Sequence, residues 1–370
     1  MSKFYYMPTK VIMGNGCITA NSGLLADMGK KALIVTGRNS AKANGSLEDV
    51  TAVLNSNKQE YVIFDSVMAN PTIECAYAGA AFAREHSADF VIAIGGGSPM
   101  DAAKAMALLA RQDIKEEDLF SGVYTGDVLP MAFVPTTAGT GSEVTQYSIL
   151  TNHKAETKTS IASPVIFPRL AFLDARYMEG LSYSTTINTA IDALSHSVEG
   201  MLSIRASTIS DSLAMESISL IASCFESLKN KSLTHGQRES LLYASTLAGM
   251  VIANTGTTAV HSMGYSLTYY KDIDHGRANG LLLAAFLGFV EKSLPDRVST
   301  ILSGMKVASI SEFSSVLNEL LGEKESITMD EINSYCLKAM KTKNITNCMV
   351  VPGQEDLLET FKASFHGAIK

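Results

Sequence analysis

Asp192 and His196 stand four residues apart in TTINTAIDALSHSVEG, a run of small and apolar residues. On a helix, positions i and i+4 share one face about one turn apart, so this carboxylate and imidazole can reach a common point. That geometry suits a metal ion. It equally suits a buried imidazole hydrogen-bonded to an acid, and the pair by itself does not choose between them. Further along, His261 and His275 bracket HSMGYSLTYYKDIDH. The first falls inside a helical pattern. The second stands just ahead of the apolar stretch GLLLAAFLGFV, where the positive end of a helix disfavours a protonated ring. His86, His153, His235 and His366 lie in polar or terminal surroundings that suit exposed residues. One carboxylate and three imidazoles neutralise only part of a divalent cation's charge, which leaves a Lewis acid open to a substrate oxygen. Spacing alone leaves open whether the two pairs converge or serve as separate core histidines.

A second chemistry is written in DFVIAIGGGSPMDAAKAMALLA. A buried strand runs into Gly95, Gly96, Gly97 and Ser98, and a helix follows, with Ser98 the expected N-cap and Pro99 its first residue. Glycines let the backbone close on a phosphate, and a helix start offers N–H groups and a positive dipole end. Diphosphate binding is the functional reading, and a tight strand-to-helix turn the plain one. The stretch is not GxGxxG, because Met100 fills the last position, and it follows the third strand rather than the first. VPTTAGTGSE places hydroxyls and glycines after the next strand. Loops at adjacent strand ends of a parallel sheet can meet the same nucleotide.

The elements that must position these residues change character near residue 180. Between residue 31 and about 135, KALIVTG, EYVIFD, DFVIAIG and LPMAFVP read as strands, separated by the helical patterns SLEDVTAVLN, PTIECAYAGAAFAREH and PMDAAKAMALLA. Such alternation predicts βαβ units and a parallel sheet covered on both faces. FYYMP and KVIMGNG look like a short antiparallel edge pair ahead of it. From Ser184 onward helical patterns follow one another, with capping-box signals at Ser309 with Glu312 and at Thr328 with Glu331. The expected fold is therefore α/β plus all-α: a Rossmann-like, dinucleotide-binding parallel-sheet domain over residues 1–180, then a helical, metal-binding domain over 181–370. The active site is expected in the cleft between them.

Composition narrows the function. The chain has 370 residues, enough for two domains, and a net charge of −7 without any Lys/Arg cluster. Nucleic acids and anionic membranes call for a basic face, so both are excluded as partners and small-molecule chemistry remains. The first residues lack the features of a signal peptide, and no apolar run reaches the length of a membrane span, so a cytoplasmic protein is expected. The five cysteines are odd in number and show no CxxC spacing, which predicts reduced thiols rather than disulfides or a zinc knuckle.

GGGSPMDAAK, PTTAGTGSEVT, DALSHSVEG and HSMGYSLTYYKDIDHGRAN stand in the order and spacing of the iron-containing (group III) alcohol dehydrogenases, and the chain resembles that family over nearly its whole length. The resemblance implies a metal held by Asp192, His196, His261 and His275, Fe2+ being the first candidate and Zn2+ the second. It assigns the cofactor diphosphate to Gly96, Gly97 and Ser98, and further nucleotide contacts to Thr136 and Thr137. Asn70, Asp101 and Lys158 match cofactor-side or cleft positions; read alone, they suit a turn Asn, an acid at a helix start and a solvated Lys. The activity implied is hydride transfer between a primary alcohol or diol and NAD(P), in a homodimer or larger homo-oligomer. Gly37, Asn39 and Ser40 resemble the pattern of NADP-using members, with Arg38 adding charge. No acid stands there to bond a ribose 2′-OH, so NADP(H) is expected ahead of NAD(H).

One departure stands out. Many members carry a histidine four residues after the third ligand as a proton relay, and here the position is Tyr265. A phenol titrates near pH 10 and relays protons poorly. Glycerol dehydrogenases and dehydroquinate synthases share the two-domain plan but use different metal sets. A metallohydrolase or a non-catalytic metal-binding protein would have no use for a dinucleotide cradle.

Overall fold

The computed structural model describes residues 3–370. Its strands are β1 (Lys10–Met13), β2 (Lys31–Thr36), β3 (Glu60–Phe64), β4 (Phe90–Gly95), β5 (Met131–Pro135), β6 (Tyr147–Asn152), β7 (Thr157–Ala162) and β8 (Leu170–Leu173). Six of them form one parallel sheet in the order β1-β8-β5-β4-β2-β3. β4 and β5 are buried along their whole length, as strands covered on both faces must be. Alternate side chains divide between the faces. Leu33, Val35, Val91 and Ala93 pack with the helices Ile73–Glu85 and Gly97–Arg111. Ala32, Ile34, Ile92 and Ile94 pack on the other face with the helix Ser46–Ser56.

The strand order reverses at β2. The chain leaves β2 outward to β3, then returns to place β4 on the other side of β2, with Thr36 opposite Ile94 and Gly95 opposite Pro135. The carboxyl ends of β2, β4 and β5 therefore lie side by side at a topological switch point, the place where open α/β sheets bind ligands.

Two features differ from the sequence reading. FYYMP forms no strand, and β1 pairs in parallel with β8, Lys10 opposite Leu170, rather than antiparallel with its neighbour. Tyr6 turns its backbone to the side chain of Asn254 instead. Its N–H donates to Oδ1 at 2.7 Å, and its carbonyl accepts from Nδ2 at 3.2 Å. The second feature is an antiparallel hairpin of β6 and β7, which forms a separate two-stranded sheet.

The chain divides into two compact units. One runs from Met7 to Leu181; the other takes Ser182–Lys370 together with residues 3–6. The second unit is built of helices, and its Tyr183–Met201 helix is buried on all sides from Ala190 onward, as befits a central helix. Thr328 and Glu331 form the expected capping box. At Ser309 the serine accepts the Glu312 N–H, but the Glu312 carboxylate accepts from Ala308 N–H, one residue further back. Among the described residues no helix is long and apolar enough to cross a membrane.

Candidate active site

Three helices bring the histidines to Asp192. The Tyr183–Met201 helix, N-capped by Ser182, carries Asp192 and His196 on one face. His261 lies in the first turn of the Ala259–Lys271 helix, and His275 is the first residue of the His275–Glu291 helix, whose N-cap Asp274 accepts from the Gly276 N–H at 3.1 Å. Gly276 rests on the Asn188 carbonyl, and a Cβ there would also lie 2.9 Å from Asp192 Cβ. This backbone contact seats the start of one helix on the turn before Asp192.

The ligand-type atoms of Asp192, His261 and His275 lie within 4.8 Å of one another. Asp192 Oδ1 is 3.9 Å from both His196 Nε2 and His275 Nε2, and the His196 ring stacks on His261 at 4.8 Å. Burial works against the Asp192 carboxylate, but His196, His275, His261 and the Asn279 amide outweigh it and hold the carboxyl below its ordinary value. The ring of Tyr265 lies parallel to His275 at 5.9 Å and edge-on to His261.

Asn279, absent from the sequence reading, sits in the middle of this set. Its Nδ2 is 3.0 Å from Asp192 Oδ1, 3.2 Å from His261 Nε2 and 3.4 Å from His275 Nε2. Its Oδ1 is buried and has no hydrogen-bond partner among the described residues. A carboxylate oxygen and two imidazole nitrogens thus gather at one amide group. A divalent cation fits this gathering of ligand-type atoms, and the all-N/O donor set accommodates Fe2+ or Zn2+. Asn279 stands four residues after His275 on the same helix face, which is the one signal the sequence held for it.

In the sheet unit, the glycine loop turns earlier than expected. Gly95 has φ +150° and Gly96 is the N-cap, so the helix starts at Gly97 and Ser98 is its second residue. Ser98 is therefore not the cap. Pro99, third in the helix, still lies in the first turn, where a missing N–H costs little. Among the described residues no side chain caps this helix. The loop after β5 packs directly on the glycines: Cβ atoms at Gly96 and Gly97 would lie 2.9 Å from Thr137 Oγ1 and 2.6 Å from Thr140 Cγ2. Thr137 thus faces the glycine loop, whereas Thr136 is buried and its N–H donates to the Gly95 carbonyl at 2.9 Å.

Asn70 adopts the left-handed conformation, with φ 57°. Its N–H donates to Ser98 Oγ at 3.3 Å, and its carbonyl accepts from Thr151 Oγ1 at 3.0 Å. Asp101 is engaged internally: its carboxylate accepts from Ser142 Oγ at 2.6 Å and Ile149 N–H at 3.2 Å. Burial raises its carboxyl above the usual range, against the opposing charges of Lys104 and Lys158. Lys158 lies on β7 opposite Thr151. Lys104, also missed by the sequence reading, is wholly buried and donates to Ser142 Oγ, Thr145 Oγ1 and the Tyr147 carbonyl at 2.8, 3.0 and 2.8 Å. Burial pushes it down to about 8, with Asp101 and Glu143 opposing. Together Asp101 and Lys104 tie the loop after β5 and the hairpin to the helix that follows the glycines.

At the end of β2, Asn39 precedes a short helix that begins at Ser40, and a Cβ at Gly37 would meet nothing nearer than the Val67 carbonyl at 3.5 Å. An acid does stand nearby, contributed by the neighbouring strand: Asp65 follows β3 and pairs with Lys42 at 2.9 Å. Lys42 above all, and Arg38 to a lesser degree, hold its carboxyl below the ordinary value.

Comparison with known proteins covers both units. The family described as "Iron-containing alcohol dehydrogenase" matches residues 8–175, and "Fe-containing alcohol dehydrogenase family, C-terminal" matches residues 186–365. The NADPH-dependent butanol dehydrogenase of Clostridium saccharobutylicum is 31% identical over 309 residues, covering 82% of this chain and 78% of its own. The 1,3-propanediol dehydrogenase of Klebsiella pneumoniae is 36% identical over 260 residues, covering 69% of this chain and 66% of its own. The crystal structure of an iron-containing alcohol dehydrogenase from Thermotoga maritima, 37% identical, superimposes with a TM-score of 0.91, covering 98% of this chain and 99% of that one.

Proposed function

The chain belongs to the iron-containing alcohol dehydrogenase family, and from that membership we propose that it interconverts short primary alcohols or diols and their aldehydes using NADP(H) and a divalent ion, Fe2+ first, held by Asp192, His196, His261 and His275. As a family member it is an NAD(P)-dependent oxidoreductase of alcohols and aldehydes. The observation that carries the metal assignment is the gathering of Asp192, His261 and His275 within 4.8 Å, with His196 Nε2 3.9 Å from the same carboxylate oxygen.

When bound, the ion supplies a Lewis acid for the substrate oxygen, and the nicotinamide supplies the two-electron acceptor or donor. The chain's own residues hold and orient. Asp192 keeps its negative charge inside the helical unit, and the Tyr265 ring forms an aromatic wall against His275. On the sheet unit, the uncapped start of the Gly97–Arg111 helix offers N–H groups to a diphosphate, beside the Thr137 hydroxyl. Gly37 leaves space, and Arg38 supplies positive charge, for a ribose 2′-phosphate, while Lys42 offsets the nearby Asp65. The NADPH dependence of the butanol dehydrogenase relative supports the same choice, and the butanol and 1,3-propanediol enzymes support a short primary substrate. All five thiols are unpaired and four are buried, which supports a reducing compartment, the cytoplasm.

The test is oxidation of NADPH and NADH with propanal, butanal and 3-hydroxypropanal, on metal-stripped protein reloaded anaerobically with Fe2+ or Zn2+. Turnover that requires the ion, with higher kcat/KM for NADPH, is expected. Metal-independent turnover overturns the metal assignment, and a higher kcat/KM with NADH overturns the cofactor preference.

A further inference from the structure

Glu199 has its carboxyl group in the interior of the helical unit, with 0% exposure. It follows Asp192 by seven residues and His196 by three, so it continues their stripe along the same helix. Its two oxygens do different things. Oε1 accepts from the Thr258 N–H at 2.8 Å, the Thr258 hydroxyl at 2.7 Å and the His261 N–H at 3.3 Å. Oε2 faces His261 Nδ1. The other ring nitrogen, Nε2, faces the ligand cluster, 3.2 Å from Asn279 Nδ2.

We propose that Glu199 is a positioning residue that fixes the tautomer and orientation of His261, with the ring hydrogen on Nδ1 and the lone pair of Nε2 turned to the metal centre. This inference rests on His261 being a ligand, as assigned above. Two of the three donors at Oε1 are backbone N–H groups, and a backbone amide cannot reverse its role. The atom at that corner must remain an acceptor. As an ionised carboxylate Glu199 offers only acceptors, so Oε2 takes the Nδ1 hydrogen and leaves Nε2 as the donor atom to an ion. A carboxylate behind a metal-binding imidazole also raises its basicity.

The arrangement makes Glu199→Gln a sharp probe, because glutamine keeps the shape and reverses the hydrogen bond. Its amide oxygen is held at the Oε1 corner by the two backbone N–H groups. Its NH2 then falls on Nδ1, which must accept, and the ring hydrogen moves to Nε2, the nitrogen an ion needs. The loss is one of tautomer rather than of packing.

The experiment combines two readouts on metal-free full-length protein. Two-dimensional 15N–1H NMR of the histidine rings, with His261 assigned by comparison with His261→Gln, reports which nitrogen carries the hydrogen. Competition with a chromogenic chelator reports Zn2+ affinity. The wild type is expected to carry the His261 hydrogen on Nδ1 and E199Q on Nε2. E199Q should bind Zn2+ roughly 10–100-fold more weakly. A wild-type hydrogen on Nε2 overturns the proposal even if E199Q does not fold, and so does wild-type Zn2+ affinity in folded E199Q. His261→Gln in the same titration separates the two levels: if it keeps wild-type affinity, the ligand assignment fails. If it loses Zn2+ while E199Q does not, only the role of Glu199 fails.

Discussion

Gly276 lies against the backbone carbonyl of Asn188 with no room for a side-chain carbon between them. The contact sets His275 beside Asp192, and an added methyl has to push the two helices apart. Gly276→Ala is expected to lower stability by about 1–3 kcal/mol and to reduce the metal retained through purification. Thermal unfolding and elemental analysis measure both. Wild-type values in the variant would show that this contact does not set the ligand geometry.

Asp192→Asn keeps the shape of the side chain and removes the charge that the three imidazoles and Asn279 stabilise. Metal content and turnover should both collapse, while NADPH binding, followed by fluorescence, stays at the wild-type level because its proposed residues lie in the sheet unit. Full activity in this variant would remove Asp192 from the ligand set.

Gly37→Asp places a carboxylate where space exists for a Cβ. An acid there bonds a ribose 2′-OH and repels a 2′-phosphate. The ratio of kcat/KM for NADPH over NADH should fall by at least about tenfold, since a like-charge juxtaposition costs several kcal/mol. An unchanged ratio would mean that the 2′ position is read elsewhere.

Lys104 gives stability a signature at alkaline pH. Its folded value, about 8, lies below the ordinary 10.5, so between these values the unfolded chain binds more protons and stability rises with pH through this group. Lys104→Met removes that slope. At neutral pH the variant should be less stable by about 3–5 kcal/mol, because Asp101 loses its buried counter-charge. The gap to the wild type should widen from pH 8 to 10.5 in urea unfolding. A gap that narrows over this window would contradict the environment described for Lys104.

Tyr265 stands four residues after His261, the departure from the resembled pattern noted in the sequence, and its ring lies parallel to that of His275. Were its hydroxyl a proton relay, Tyr265→Phe would cost about 100-fold or more in kcat. The expectation is a loss below about tenfold, since phenylalanine preserves the wall. A loss of the larger size, with a shifted pH profile, would give the phenol a direct part in proton transfer.

The local patterns of the sheet unit were legible because each is complete within a few residues. β2, β3, β4 and β5 carry their own apolar runs, and the glycine loop carries its own turn. What escaped depends on partners distant in sequence. β1 resembled half of a hairpin, but its partner β8 arrives 160 positions later, Lys10 against Leu170. The β6–β7 hairpin was missed because its strands are rich in Thr and Ser and only partly buried. Lys104, Glu199 and Asn279 escaped for a related reason: a polar residue in an apolar helix declares nothing until the groups it faces are known. Asp192, His196, His261 and His275 were named from spacing and resemblance. The seating of His275 beside Asp192 involves Gly276, whose role is a matter of space rather than chemistry.

The bond between Tyr6 and Asn254 joins residues 248 apart in the chain. During vectorial synthesis Tyr6 leaves the ribosome long before Asn254 exists. At about 5–20 residues per second, the wait is on the order of tens of seconds. Phe4 and Tyr6 stack on each other, and Phe4 stays 79% exposed in the finished fold, so burial of the Phe4 ring adds little to the hold that Asn254 provides. This hold on Tyr6 thus depends on a residue synthesised long after it, so it cannot form before Asn254 has been made.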